Sequence, residues 1–242
     1  MENSPNQKRA IITGASSGIG KASAIAFAKA GIDLCLIARS EKKLAEVAQI
    51  VTDYGVKAKI HPLDLEEVSK VRGEIENIVA QWGEIDILVN NAGIGYTNLL
   101  RETPLTDWQK VLNLNLTSVF ECIMGVLPSM RKRGKGTIIN VASIAATNPF
   151  PEWGAYGVSK SALATLSECL AVEERNNGVR VTTISPGAVN TPIWDTETVN
   201  ADLNRSGMLT PETVAEIILH TALLPQSAVI EKLTVTPSLG AL

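Results

Sequence analysis

Histidine is almost absent from this chain: His61 and His220 are the only two in 242 residues. With no Cys/His cluster there is no case for a structural zinc site or any other metal, and a Ser-His-Asp triad lacks its base. Cys35, Cys122 and Cys169 are odd in number and far apart. Each falls in an apolar or helical stretch, so all three are expected as reduced packing residues. No sign of charge dominates. A net charge of −3 gives no electrostatic case for nucleic acid or an anionic membrane surface. No apolar run approaches a membrane span, and residues 1–7 are polar, without a segment of signal-peptide character. A soluble, cytoplasmic protein is expected. Linkers, repeats and low-complexity stretches are also missing, so residues 1–242 are expected to form one domain. Its 45% hydrophobic content is ample for a core.

Short apolar runs alternate with helix-length segments from end to end. Strands are expected at residues 9–13, 34–38, 58–62, 85–89, 137–141, 180–185 and 232–236. Several are apolar on both faces, as in Ile85-Asp86-Ile87-Leu88-Val89, which suits a parallel sheet covered on both sides. Helices are expected at residues 19–30, 41–54, 66–82, 106–133, 155–176 and 211–223. Strand–helix alternation of this kind predicts right-handed crossovers and a doubly wound α/β sheet. The least regular segment, residues 186–209, is long for a connection and is expected to be a substrate-binding loop or lid.

Tyr156 and Lys160 are four residues apart in Tyr156-Gly157-Val158-Ser159-Lys160, so a helix stacks them on one face. A phenol loses its proton near pH 10 in water. An ammonium one turn away favours the phenolate and lowers that value, bringing the tyrosine into the range of a general acid or base. The segment Thr13-Gly14-Ala15-Ser16-Ser17-Gly18-Ile19-Gly20 follows the first strand and opens the first helix. Its glycines permit a tight turn and a close approach of backbone to a pyrophosphate, which the helix N-terminus attracts. The Gly loop, Asn90-Asn91-Ala92-Gly93, Ser143 and Pro186-Gly187 each follow the C-terminal end of a proposed strand. That is the ligand-binding edge of open α/β sheets, so all four are expected in one cleft.

Taken together these motifs resemble the short-chain dehydrogenase/reductase family, over about residues 8–236. The resemblance implies a single Rossmann-type domain with a seven-stranded parallel sheet and helices on both faces. It also implies hydride transfer between a nicotinamide cofactor and a carbonyl or alcohol. On it, Tyr156 matches the proton donor, and Lys160 the residue that lowers the tyrosine pKa and bonds the nicotinamide ribose. Ser143 matches the hydroxyl that positions the substrate oxygen, and Asn115 the helix residue that holds a water between the lysine and solvent. The cofactor-binding positions it implies are Gly14, Ser16, Ser17, Gly18, Ile19, Gly20, Asn91, Ala92, Gly93, Tyr156, Lys160, Pro186, Gly187, Val189 and Thr191. Asp64 is expected to accept from the adenine amine, with Leu65 supplying the adjacent N–H. Asn90 is expected to be structural, holding the sheet near the cofactor.

NAD-binding relatives end the second strand with an acidic residue that holds the ribose hydroxyls. Here Ala38 stands at that place and Arg39 follows, a planar cation suited to phosphate, with Ser40 and Ser17 as further donors. NADP(H) is therefore the expected cofactor. Ile94, Ile144, Ala145, Phe150, Trp153, Ala188, Trp194 and Met208 are expected to wall an apolar cleft for a hydrophobic, small-molecule ketone or aldehyde. The basic run Arg131-Lys132-Arg133-Gly134-Lys135 resembles the helix end with which ketoacyl-carrier-protein reductases dock an acidic carrier. Cations are also favoured at any helix C-terminus, and Val172 stands at those reductases' second basic position. A non-catalytic NADP-sensing protein and an extended-family epimerase or dehydratase are the other readings. The complete Asn/Ser/Tyr/Lys set argues against the first, and the short C-terminal region against the second. Apolar residues on more than one face of the 106–133 helix (Leu112, Leu116, Val119, Cys122, Ile123 and Val126), with the pairing of such helices in similar proteins, imply a homodimer or homotetramer.

Overall fold

A computed structural model describes residues 7–201, 204–238 and 240; the ends of the expected 1–242 domain, and residues 202 and 203 of the 186–209 loop, lie outside the described residues. One parallel sheet of seven strands runs in the order β3-β2-β1-β4-β5-β6-β7. The strands are β1 Arg9–Thr13, β2 Asp33–Ala38, β3 Ala58–Pro62, β4 Ile87–Asn90, β5 Gly136–Val141, β6 Val179–Pro186 and β7 Lys232–Val235. The helices are α1 Gly18–Lys29, α2 Glu41–Thr52, α3 Val68–Trp82, α4 Leu105–Leu112, α5 Ser118–Arg133, α6 Gly154–Glu174 and α7 Pro211–Leu223.

The doubly apolar strands explain the two cores. Side chains alternate across a strand, so Ile12, Val89 and Ile139 join Phe27 of α1, Leu44 of α2 and Ile218 of α7 on one face. Their neighbours Ile11, Leu88 and Ile138 join Ile75 of α3, Ile123 of α5 and Leu163 of α6 on the other. The chain reverses its order across the sheet between β1 and β4, and there the carboxyl ends of the strands open a crevice.

Three sequence expectations need correction. The 106–133 helix is interrupted: residues Asn113–Thr117 form a π turn in which the Ser118 N–H bonds back to the Asn113 carbonyl. The displaced Leu114 carbonyl instead takes the Ser118 hydroxyl at 2.7 Å. The same stretch, Leu105–Arg133, is by length and composition apolar enough to cross a membrane, against the expectation that no run is. Its apolar face packs on the sheet and α3, and Val119, Cys122, Ile123 and Val126 are buried within the one chain. Four of the six apolar residues offered for helix pairing are thus covered within the chain, and Leu112 and Leu116 are half-buried. Finally, Cys169 is exposed on α6, whereas Cys35 and Cys122 are buried, their thiols pushed up to about 12 by desolvation.

Candidate active site and cofactor cleft

Every expected site residue except Asn115 and Gly20 lines one cleft of about 740 Å3 at the carboxyl edge of the sheet. Three loops make its floor. Gly14 stands at φ +66°, a backbone that β-carbons oppose. A Cβ on Gly20 would meet the Gly14 carbonyl oxygen at 2.2 Å, so Gly20 lets α1 close on the loop from behind and does not itself face the cleft. Thr13, not anticipated from the sequence, ties this loop to the next. Its hydroxyl accepts the Asn91 and Ala92 N–H groups at 3.0 Å each, while Asn91 Nδ2 donates to the Thr13 carbonyl at 3.0 Å. Asn90 is structural as expected, donating to Asn140 Oδ1 at 2.9 Å.

The helix beginning on this loop is left open. Ser17, its N-cap, makes no side-chain capping bond, and the first turn holds no acidic residue. Ser40 caps α2 through the Lys43 N–H and Thr210 caps α7 through the Thr213 N–H, while α3, α4 and α6 lack a side-chain cap as α1 does; of these uncapped starts it is that of α1 that lines the cleft beside a glycine turn. Free N–H groups and a positive helix end facing a glycine turn suit a phosphate.

At the β2–β3 end the cleft carries charge. Arg39, Ser40, Lys43 and Asp64 line it, and Ala38 closes β2 without a carboxylate. Lys43 was missed from the sequence; its place one turn into a helix capped by Ser40 was the signal. Arg39 Nη1 lies 3.4 Å from Glu66 Oε1, its side chain still 64% exposed. Asp64 Oδ1 accepts the Glu66 N–H at 3.0 Å, which folds the turn after β3.

At the β5–β6 end stand the reacting groups. Ser143 opens a short turn after β5, its Oγ accepting the Ala145 N–H at 3.1 Å. Tyr156 and Lys160 share a face of α6, Nζ lying 5.8 Å from the phenol ring centroid. Lys160 is 4% exposed and donates to the Val141 carbonyl at 2.9 Å. Burial brings its ammonium down to about 8. Burial also raises the Tyr156 phenol above its ordinary value, against the pull of its hydrogen bond with Ser143. The direction is opposite to that expected from a neighbouring ammonium: desolvation is the largest cause, and the group that opposes it is Ser143 rather than Lys160.

Asn115 is wholly buried, behind the cleft wall. Its Oδ1 accepts the Ile94 N–H at 2.8 Å, and Nδ2 donates to the Ile94 carbonyl and to Ser159 Oγ, each at 3.0 Å. Its amide is thus engaged by protein, and the π turn is what carries it there. Ser159, also missed, passes the link on by donating to the Tyr156 carbonyl at 2.7 Å. A buried serine one residue before Lys160 was the available clue.

Of the residues expected to wall the substrate side, all line the cleft but Met208, which is buried within the 186–209 segment. The basic run at 131–135 lies elsewhere. Arg133 binds Asp86 and the Ile85 carbonyl, Lys135 reaches Asp86 and Arg131 reaches Glu174. Ile85 and Asp86 precede β4, so this run sits at the opposite edge of the sheet, with three of its cations paired.

The family model for short chain dehydrogenase matches residues 8–202. The chain belongs to that family. An uncharacterized oxidoreductase of Staphylococcus saprophyticus is 34% identical over 233 residues, which span 95% of this chain and 97% of the relative. The alcohol dehydrogenase of the archaeon Thermococcus sibiricus, solved with 5-hydroxy-NADP, superposes with a TM-score of 0.88 at 30% identity, covering 96% of this chain and 97% of that one. The L-sorbose reductase of Gluconobacter frateurii, solved with NADPH and L-sorbose, gives 0.86 at 31% identity and 98% of both chains. This short-chain dehydrogenase is therefore an oxidoreductase with a Rossmann-type sheet, like the proteins it resembles.

Proposed function

We propose that the protein interconverts a carbonyl compound and its alcohol with NADP(H), Tyr156 moving the proton. The observation that carries this is the arrangement of one cleft. Tyr156, Ser143 and Lys160 lie at one end, and an open helix N-terminus with Arg39 and Lys43 at the other. The dinucleotide fits: phosphates go to the uncapped start of α1, and a 2′-phosphate to the cations after β2, where Ala38 offers no repulsion. When bound it supplies or accepts the hydride.

The chain's own residues do the rest. In reduction, the carbonyl oxygen is held by the Ser143 and Tyr156 hydroxyls, which stabilise the developing alkoxide. Tyr156 then gives up its proton; a phenol protonated at neutral pH is in the form this step requires. Lys160 stands one turn away, where it would hold the nicotinamide ribose and steady the phenolate left behind. Asn115 and Ser159 fix the two helices against each other, and residues 186–209 act as the loop that covers the substrate. Arg39 exchanges Glu66 for the phosphate on binding, so its net gain falls toward the lower end of a charge-assisted bond. The carrier-protein reading is the weaker one, because the basic run is paired and lies away from the cleft.

A homodimer or homotetramer remains our reading of the assembly, now resting on Phe120, 37% exposed on α5, and Val172, 69% exposed on α6. Light scattering that gave a 25.8 kDa particle at micromolar concentration would end it. The direct test of function is a panel of ketones, aldehydes and acyl thioesters followed by NADPH absorbance loss. Turnover of ketones with NADPH in preference to NADH is expected. Equal use of both nucleotides, or reaction with thioesters alone, would contradict the reading.

A further inference from the structure

The substrate end of the cleft has a wall that the reaction itself does not require. Trp153, on the turn that opens α6, packs edge-on against Tyr156 with ring centroids 5.2 Å apart and planes at 73°. Its other side meets Trp194 of the lid at 5.7 Å and 67°. Both indoles are only partly buried, and both line the cleft. Trp194 is fixed by its own N–H, which donates to the Val189 carbonyl at 2.7 Å. Trp153 is fixed by backbone. Glu152 before it takes a left-handed φ of 65°, the one such non-glycine among the described residues, and its carbonyl accepts the Asn98 N–H at 2.8 Å. A strained residue held by the surrounding chain marks a position the fold over-determines.

Charge is missing from this end. Arg39, Lys43, Asp64 and Lys160 are the charged residues lining the cleft among those described. The first three sit at the β2–β3 end, and the Lys160 ammonium is turned onto the Val141 carbonyl. Among the described lining residues, a carboxylate placed against the indoles would find no cation free to pair with it, and a polyhydroxylated chain would find only the hydroxyls of Ser143, Tyr156, Thr191 and Thr196. A flat ring would gain the edge-to-face contacts that the two indoles already make with each other.

We infer that the substrate is a neutral ketone bearing an aryl group beside the carbonyl. Trp194 is the specificity-determining residue for that ring, and Trp153 a positioning residue that sets Tyr156. The inference rests on the carbonyl-reducing reading of the same site and narrows it.

The test compares ketones of matched size with NADPH: acetophenone, cyclohexyl methyl ketone, 4-acetylbenzoate and fructose. Wild type should favour acetophenone over its saturated partner by roughly 2- to 10-fold in kcat/KM, the worth of an aromatic contact. The charged and polyhydroxylated ketones should be poorer still. Trp194→Ala should erase the aryl preference with NADPH affinity unchanged. Trp153→Ala should lower kcat more than it raises KM and displace the alkaline limb of the kcat–pH profile, and Trp153→Phe should restore both. Equal use of fructose or 4-acetylbenzoate, or an aryl preference that survives Trp194→Ala, overturns the inference while leaving carbonyl reduction standing. Calorimetry of acetophenone binding to the NADPH complex separates the remaining cases. Binding without turnover of any ketone sinks the catalytic reading and supports the substrate class. Neither binding nor turnover sinks the substrate class.

Discussion

The two ends of the cleft are built in opposite ways. At the β1–β3 end, short regular connections present backbone N–H groups, an open helix start and two cations to solvent. At the β4–β6 end the backbone departs from regularity repeatedly: the π turn at Asn113–Thr117, the short turn after Ser143 and the left-handed Glu152. Asn115 and Lys160 there are buried and already hydrogen-bonded to protein, while Ser143 and Tyr156 are partly exposed to the cleft. The contrast reflects two tasks. Holding a phosphate needs donors and positive potential that regular elements supply at their ends. Moving a proton needs a few groups fixed to a fraction of an ångström, and the irregular turns carry them to places a straight helix would not.

Breaking the reactive end should cost the most. Tyr156→Phe keeps the ring and its contact with Trp153 but removes the proton, so kcat should fall on the order of 10² to 10⁴. Steady-state assays at saturating NADPH read this directly.

Lys160 provides the next largest effect, and its sign is opposite to a usual ion pair. Its folded value, about 8, lies below the 10.5 of a free lysine, so burying the ammonium opposes folding wherever it is charged. Between these values the unfolded chain binds more protons, and stability rises with pH. Relative to Lys160→Met, wild type should therefore gain up to about 3 kcal/mol on going from pH 7 to above pH 10, with the hydrogen bond to Val141 trimming the total. Urea titrations of both proteins across that window check it. A gap between them that does not change with pH would show the ammonium is not desolvated.

The cofactor end should give smaller losses. Arg39→Ala should weaken NADPH by about tenfold and hardly alter NADH, since one charge-assisted bond is lost and the Glu66 pair no longer competes. Ala38→Asp should go further by adding repulsion against the 2′-phosphate and an acceptor for the ribose hydroxyls. Fluorescence titration of both nucleotides at fixed ionic strength measures each ratio.

The smallest effect belongs to the strained turn. Glu152→Gly should stabilise by about 1 kcal/mol, and Glu152→Ile should destabilise by a similar amount, because a β-branched residue resists positive φ most. Thermal melts distinguish the two. A gain for both would mean the turn is not strained.

The same contrast governs what could be read in advance. Every strand was placed to within about two residues; the central ones stand out because a strand buried on both faces has to be apolar throughout, whereas the edge strands β3 and β7 are only partly buried. The Gly loop and the three other strand-end motifs came together as topology requires. The π turn was invisible: it depends on one shifted hydrogen bond and on a Ser118 hydroxyl, neither of which leaves a period in the sequence. The direction of the Tyr156 shift was misread for a related reason. Spacing shows which charge is near, but not how much water is lost, and here desolvation is the largest cause of the shift. Thr13 and Ser159 were passed over because an isolated hydroxyl is the commonest of polar residues, and only its buried partners set it apart.

The division of labour in the cleft is tested most directly by a double-variant cycle on NADPH affinity and kcat. Wild type, Tyr156→Phe, Arg39→Ala and the double variant are each titrated with NADPH and assayed with the best ketone. The account predicts that Arg39→Ala alone moves Kd, Tyr156→Phe alone moves kcat, and the double variant shows both effects added within about 0.5 kcal/mol. A Tyr156→Phe enzyme that keeps more than roughly a tenth of wild-type kcat, or one that loses NADPH affinity as severely as Arg39→Ala, would contradict it.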